Sequence, residues 1–137
     1  MKDTLKTGLT TTHRVTIDRA RTIDFMGDEG RVYATPELVR DIEITCRNFL
    51  LEHTDAGEDS VGARIELDHL AATLLGMWVE ITAQVVEVEG RRVVFKISAR
   101  DSLEDVARGR HARFVVNTAK TLERLKGKAE KAGLVNM

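Results

Sequence analysis

Glu43 and His69 are ionisable residues that lie among apolar ones. Glu43 falls within the apolar spacing of a predicted helix, and His69 falls on the apolar face of a predicted strand. Burying an ionisable group without a partner is unfavourable by several kcal/mol. Each of the two side chains is therefore expected to have a polar partner or a chemical role, such as proton transfer.

The helix that carries Glu43 is predicted over residues 36–53, after the only proline of the chain. Thr35 is expected to be its N-cap, and Pro36 suits its first turn. Its apolar positions recur at helical spacing and are Leu38, Val39, Ile42, Cys46, Phe49 and Leu50. One ridge, at steps of four, three and four, consists of Val39, Glu43, Cys46 and Leu50. Glu43 can also be interpreted as a boundary residue whose carboxylate bends out to solvent.

The strand that carries His69 is predicted over residues 60–71. Strict alternation places on one face Val61, Ala63, Ile65, Leu67, His69 and Ala71. It places on the other face Gly62, Arg64, Glu66 and Asp68. His69 is then either a hydrogen-bonded core histidine or a functional group, and the helix that carries Glu43 must pack on this face.

Length and composition restrict the class of protein. The 137 residues, with 42% hydrophobic content and a net charge of −1, predict one domain over residues 1–137 with a single core. Few aromatic residues and interleaved charges argue against nucleic-acid binding. No apolar run is long enough for a signal core or a membrane span, so we expect a cytoplasmic protein with no membrane partner.

The single cysteine and the four histidines give no sign of a metal or cofactor site. Cys46 excludes an internal disulfide and is expected to pack in the helix ridge rather than act as a nucleophile. The histidines, which are His13, His53, His69 and His111, lack the spacing of metal ligands. We therefore expect no metal and no cofactor.

The remaining elements predict an α+β fold. Further strands are expected at about residues 9–17, 77–88, 92–101 and 106–117, with a hairpin at Glu89-Gly90. A short helical turn is expected near residues 20–25. An amphipathic helix is expected at about residues 118–131. The layout is one long central helix wrapped by a curved antiparallel sheet of about five strands, plus a C-terminal helix.

This layout resembles the hotdog fold, and six segments in order resemble the thioesterases related to fluoroacetyl-CoA thioesterase. The segments are Tyr33-Ala-Thr-Pro36, Glu43-Ile-Thr-Cys46, Ser60-Val-Gly62, Asp68-His-Leu-Ala-Ala-Thr73, Val88-Glu-Gly-Arg-Arg92 and Gly109-Arg-His-Ala-Arg113. The resemblance covers roughly residues 8–120. It implies an acyl-CoA thioesterase that releases a free acid and CoA.

The resemblance also implies the site residues. It maps a catalytic set onto Thr35, Glu43 and His69, and substrate-binding positions onto Gly62 and Arg113. The Gly62 position matches a glycine whose backbone N–H lies near the thioester carbonyl. Three plainer interpretations stay open: Thr35 is only an N-cap, Gly62 is only a strand or bulge glycine, and Arg113 points outward or forms a salt bridge between subunits.

The chemistry of thioester hydrolysis suits this set, since it needs a base or nucleophile, donors for the oxyanion and help for the departing thiolate. Glu43 could activate water or attack directly. His69 could orient Glu43 or water, or protonate the thiolate. The main alternative is a hotdog protein that binds acyl-CoA or another apolar ligand without turnover.

The sequence also gives expectations for the substrate and for the assembly of the protein. Relatives specific for fluoroacetyl groups carry lid phenylalanines that the matching stretch Met26–Arg31 lacks, so a short or medium acyl group is expected without fluoroacetyl specificity. A lone hotdog unit leaves a sheet edge open, which predicts a homodimer or a dimer of dimers with sites at the interface. Candidates for contacts with CoA phosphates are Arg64, Arg91, Arg92 and the helix from Lys120 to Lys131.

Overall fold

The computed structural model describes residues 1–134, so the last three residues of the predicted 1–137 domain lie outside the described residues. The elements in chain order are β1 (Thr10–Thr16), α1 (Thr35–Leu51), β2 (Glu58–His69), β3 (Trp78–Glu89), β4 (Arg92–Arg100), β5 (Asp105–Asn117) and α2 (Thr118–Lys131). Two short 3-10 turns, Arg19–Arg21 and Asp28–Gly30, lie between β1 and α1. These bounds agree with the predicted elements to within a few residues.

The five strands form one antiparallel sheet in the order β1-β3-β4-β5-β2. The strands β3 and β4 are joined by the predicted hairpin, where Gly90 adopts a positive φ of 58° that suits glycine. The helix α1 packs against the sheet through β2, β1 and β3. The α+β hotdog layout is thereby confirmed, with β1 and β2 as its edge strands.

The core lies between α1 and the inner face of the sheet. The middle strands contribute the buried side chains that strand alternation predicts, which are Val79, Ile81, Ala83, Val85, Val93, Phe95, Ile97 and Ala99. From α1 the buried apolar side chains are Leu38, Ile42, Cys46, Phe49 and Leu50. Cys46 is fully buried, as expected of a packing residue.

A bulge in β2 changes which residues face α1. The pairing of β2 with β5 shifts between Gly62 and Arg64. The register pairs are Val61 with Phe114, Gly62 with Arg113 and Ile65 with His111. Because Arg113 and His111 are two residues apart on β5, Gly62 and Ile65 share one face. The predicted faces were therefore wrong before the bulge: Gly62 faces α1, and Val61 faces away from α1 and is 46% exposed.

The C-terminal helix α2 lies on the outside of this core. It forms directly after β5 with Asn117 as its N-cap, and none of its residues is buried. Its apolar residues Leu122 and Leu125 are exposed. No helix within residues 1–134 is both long and apolar enough to cross a membrane.

A buried acid fixes the segment that leads into α1. Asp41 is only 3% exposed and accepts hydrogen bonds from Arg21 Nε at 2.9 Å, from Arg21 Nη2 at 3.2 Å and from the Tyr33 hydroxyl. The paired guanidinium offsets part of the cost of burying the carboxylate. Burial and the contact with Asp41 raise the pKa of Tyr33, so its hydroxyl stays a donor. This network anchors residues 21–33 to the middle of α1.

Replacing Asp41 with Asn should lower the free energy of unfolding by about 3 kcal/mol, since it leaves Arg21 without its buried counter-charge. Urea unfolding followed by circular dichroism measures the change. The control is Asp24→Asn, because Asp24 is an exposed acid of the same type. A loss for Asp41→Asn no larger than that of the control would contradict the structural role of this network.

Candidate active site

Thr35 and His69 meet where the start of α1 approaches the end of β2. The N-cap of α1 is Ala34, so the predicted N-cap role of Thr35 is wrong. The Thr35 hydroxyl instead lies 2.7 Å from His69 Nδ1. Thr35 is thus the first residue of the helix, where backbone N–H groups lack intrahelical partners and the helix dipole is positive.

His69 is half-buried and favours its neutral form. Burial lowers the pKa of His69, and a backbone hydrogen bond of Ala71 opposes this in part. The Tyr33 ring packs edge-on against the imidazole, with centroids 6.4 Å apart. Within residues 1–134, the buried Nε2 atom of His69 has no well-aligned hydrogen-bond partner. When Nε2 carries the proton, Nδ1 can accept the hydrogen of the Thr35 hydroxyl.

An open cleft lies beside this pair. It has a volume of about 340 Å³ and is lined by both polar and apolar residues, among them Ile23, Val32, Thr35, His69 and Leu70. The cleft therefore places a hydroxyl and a neutral imidazole next to apolar side chains. This combination suits a small ligand with one polar group.

Glu43, Gly62 and Arg113 form a second cluster. Glu43 Oε2 lies 3.9 Å from Arg113 Nη1, and the Glu43 side chain is 45% exposed. A Cβ atom on Gly62 would come within 3.3 Å of Glu43 Oε1. Glycine at this position therefore lets the carboxylate lie directly over the backbone of β2.

The burial of Glu43 differs from the prediction. Glu43 lies at the edge of the apolar stripe of α1, half-exposed, and Asp41 is the acid that the stripe buries. The boundary interpretation thus describes its exposure, although the carboxylate faces Arg113 and Gly62. Arg40 and Arg47 lie on the outer part of the helix, where Arg47 pairs with Asp59.

Arg113 is a buried cation whose partners the sequence analysis missed. It is 4% exposed, which excludes the outward interpretation. Its Nε donates to Ser60 Oγ at 2.8 Å, its Nη2 to the Ser60 carbonyl at 2.9 Å and its Nη1 to His111 Nε2 at 3.2 Å. Ser60 and His111 share the face of Arg113, and the register of β2 with β5 brings them together.

The two clusters do not touch each other within the described chain. Thr35 and Glu43 are eight positions apart on α1, which corresponds to about 12 Å of helix rise. Among the hydrogen bonds of residues 1–134, none joins Glu43 to Thr35 or to His69. The chain thus carries a hydroxyl–imidazole pair near one end of β2 and a carboxylate–guanidinium pair near the other.

Two other kinds of site chemistry would need a reactive thiol or a cluster of metal ligands. Burial raises the pKa of the Cys46 thiol to about 12, so almost no thiolate is present at neutral pH. Within the part of the chain that the structure describes, no three side chains of His, Cys, Asp or Glu lie close enough to hold a metal ion.

The amino-acid sequence of this chain is similar to those of one family of known proteins. The family model described as fluoroacetyl-CoA-specific thioesterase matches residues 17–119. The fluoroacetyl-CoA thioesterase of Streptantibioticus cattleyicolor is 32% identical over 127 residues, which cover 88% of this chain and 91% of that protein. The five predicted site positions, Thr35, Glu43, Gly62, His69 and Arg113, all lie within the matched range.

Solved structures agree with this relationship. A structure of fluoroacetyl-CoA thioesterase superposes with a TM-score of 0.83 at 29% identity, covering 90% of this chain and 97% of that one. A thioesterase superfamily member from Thermus thermophilus gives a TM-score of 0.80 at 28% identity, covering 92% and 96%. A hot-dog-like protein from Thermanaerovibrio acidaminovorans gives 0.82 at 27% identity, covering 89% and 91%.

The fold and these relatives define a hotdog thioesterase, an enzyme that hydrolyses acyl-CoA thioesters. The family is shown by a match that spans most of the chain. The chain belongs to the fluoroacetyl-CoA-specific thioesterase family.

His69, which is half-buried, and His111, which is buried, should make the fold less stable in mild acid. Burial lowers the pKa of His69 and of His111 in the folded protein, whereas an unfolded histidine titrates near about 6.5. Below that pH the unfolded state binds more protons than the folded state, so the free energy of unfolding should fall as the pH drops from 7.5 to 5.5. Urea unfolding at each pH measures it.

The variant His69→Asn removes one of these two groups and should show a smaller drop over the same pH range. His13→Gln serves as the control, since His13 is exposed. Stability that stays constant or rises between pH 7.5 and 5.5 would contradict neutral burial of the two rings.

Proposed function

We propose that this protein hydrolyses short or medium acyl-CoA thioesters with Thr35, Glu43 and His69 as its catalytic groups, and with Gly62 and Arg113 binding the thioester. The observation that carries the proposal is the position of the Glu43 carboxylate, which lies over the backbone of Gly62 and beside the Arg113 guanidinium. The carboxylate can act as a base, while the guanidinium and the backbone of the edge strand can stabilise negative charge. Together they suit a reaction in which a carbonyl oxygen becomes negative.

In the proposed reaction, Glu43 removes a proton from a water molecule as the water oxygen bonds to the thioester carbon. The Gly62 amide and Arg113 stabilise the oxyanion that forms on the carbonyl oxygen. The carbon–sulfur bond then breaks, and the CoA thiolate takes up the proton that Glu43 removed from water, which returns Glu43 to its charged form. The products are the free acid and CoA, and no oxidant or cofactor is consumed.

The Thr35 and His69 pair has a complementary role. The Thr35 hydroxyl lies 2.7 Å from His69 Nδ1 at the start of α1, where the helix dipole favours negative charge, and in the proposed arrangement it donates to the neutral ring. We propose that this pair holds the thioester group and relays to the departing thiolate the proton that Glu43 took from water. The lowered pKa of His69 supports this, because a neutral ring can accept the Thr35 hydrogen at physiological pH.

We propose that each complete site combines residues of two copies of the chain. Within residues 1–134, the edge strand β2 has no neighbouring strand on its outer side, and its Val61 and Ile65 are exposed. Antiparallel pairing of two β2 strands would set the Gly62 end of one against the His69 end of the other. The Glu43 cluster of one copy would then face the Thr35–His69 pair of the second copy. Groups that are far apart within one chain would thereby come together across the interface.

The acyl preference follows from the cleft beside Thr35. Its volume of about 340 Å³ suits a short or medium chain. A curated relative is named for fluoroacetyl-CoA. The stretch Met26–Arg31 of this chain contains no phenylalanine that could cover the cleft, so we propose no preference for the fluorinated group.

Release of free thiol from acetyl- to octanoyl-CoA tests the activity. Glu43→Gln and His69→Asn should each lower kcat by about 100-fold or more, since each removes a proton-transfer group. Glu52→Gln, at the exposed end of α1, is the matched control and should keep the wild-type rate. Acyl-CoA binding by the wild type without thiol release would overturn the proposed hydrolysis in favour of a ligand-binding role.

Blocking the open edge should abolish both assembly and turnover. Ile65→Lys places a charge on an exposed edge position of β2 and should shift the protein from dimer to monomer, with kcat falling by about 100-fold. Sedimentation velocity and thiol release measure the two effects. Leu103→Lys, on an exposed turn, should change neither. An active wild-type monomer would contradict the shared site.

A further inference from the structure

His111 is a buried histidine that the proposed reaction does not use. It is 1% exposed, and both ring nitrogens have partners. Nε2 lies 3.2 Å from Arg113 Nη1, and Nδ1 lies 2.8 Å from the Arg64 carbonyl oxygen. A guanidinium only donates, so Nε2 must accept, and a carbonyl only accepts, so Nδ1 must carry the proton. The two partners together specify one neutral tautomer.

The bond to Arg64 acts on the bulge of β2. Arg64 is the first residue paired with β5 after the register shift that begins at Gly62. This shift is what turns Gly62 toward Glu43. A hydrogen bond from a buried ring to the carbonyl at the end of the bulge therefore fixes the local geometry that brings Gly62 to the carboxylate.

The bond to Arg113 acts on the other side of the carboxylate. Nη1, the atom that His111 contacts, is also the guanidinium nitrogen that lies 3.9 Å from Glu43 Oε2. Ser60 holds the remaining two nitrogens of the guanidinium. His111 thus completes the set of contacts that orients Nη1 toward the carboxylate.

The surroundings of His111 favour the neutral ring. Burial lowers the pKa of His111, the Arg64 carbonyl opposes this, Arg113 lowers it further and Glu43 opposes it. Protonation of Nε2 would place two donors face to face in a buried site, because Arg113 has no acceptor. A neutral ring satisfies both neighbours.

We propose that His111 is a positioning residue that holds the Gly62 bulge and the Arg113 guanidinium as one unit around Glu43. Its role rests on the proposed function of Glu43, and it touches neither the substrate nor the water. A single imidazole ring thus links β2 and β5, the two strands beside the carboxylate.

The tautomer tests the geometry without any enzyme assay. Nitrogen NMR of the wild-type protein at pH 7.5 should show His111 with Nδ1 protonated and Nε2 unprotonated. Arg113→Lys should perturb the Nε2 signal, whereas Thr73→Val, which removes a buried hydrogen bond to Asp101 elsewhere, should leave it unchanged. An Nε2-protonated or a charged ring at this pH would overturn the proposal, even if the wild type proves to have no thioesterase activity.

Kinetics test the positioning role. His111→Phe fills the space but loses both bonds and should lower kcat by about 10- to 100-fold with KM changed less than about 3-fold. His111→Gln can still offer an acceptor to Arg113 and should recover part of the rate. Thr73→Val should keep the wild-type kcat while losing comparable stability, so it controls for a general loss of packing.

A double variant shows whether His111 acts through Arg113. If it does, His111→Phe combined with Arg113→Lys should be no slower than Arg113→Lys alone, because residues that act as a unit are not additive. Losses that multiply, or a His111→Phe variant with the wild-type kcat, would contradict the proposal. If His111→Phe fails to fold, His111→Gln takes its place, alone and combined with Arg113→Lys. These two variants and the tautomer measurement then test the proposal.

Discussion

The guanidinium of Arg113 is the constraint on which the rest of this site depends. A cation buried to 4% exposure must find acceptors for its N–H groups, and three of its neighbours provide them or face it: Ser60, His111 and Glu43. Ser60 comes from the start of β2, His111 from β5 and Glu43 from α1. Burying one charge therefore ties together two strands and the long helix at the point where the carboxylate lies over Gly62.

The position of β2 at the edge of the sheet explains how this buried cation can serve an open site. A bulge in an edge strand can turn a backbone segment toward a ligand without disturbing the inner strands of the sheet. In this chain the inner strands β3 and β4 carry much of the apolar core, β2 carries Gly62 in its first half and His69 at its end, and the inner strand β5 beside it carries Arg113. The proposed site thus lies along β2 and β5, away from most of the core, and can remain open at the edge where a second copy would pair.

Much of this architecture follows from the sequence. Helical spacing and strand alternation predicted α1, the four long strands and the inward residues of β3 and β4. The positions of Thr35, Glu43, His69, Gly62 and Arg113 came from the family resemblance, and the structure gathers them into two clusters. Glu43 and His69 could also be singled out by their apolar neighbours, although Glu43 proved half-exposed.

Other features could not be read from periodicity. A bulge inserts one residue into a strand and exchanges its faces, and strict alternation has no signal for that insertion, so Val61 and Gly62 were assigned to the wrong faces. The partners of Arg113 and of Asp41 are separated from them in sequence by as many as 53 and 20 positions, and only the tertiary register brings them together. The sequence showed that Asp41 is next to the apolar residue Ile42 on the helix, but it did not show that Arg21 is the partner of its buried carboxylate.

The central claim is that the Glu43 cluster of one copy works on the same thioester as the Thr35–His69 pair of another. Subunit mixing tests it most directly: Glu43→Gln and His69→Asn chains are co-expressed with different tags, and acetyl-CoA hydrolysis is measured on the purified hybrid. Each hybrid dimer then contains one site with both native halves and one site with neither, so the purified hybrid should have about half of the wild-type activity per dimer. Hybrid dimers as inactive as either parent would show that each site lies within one chain and would contradict the account.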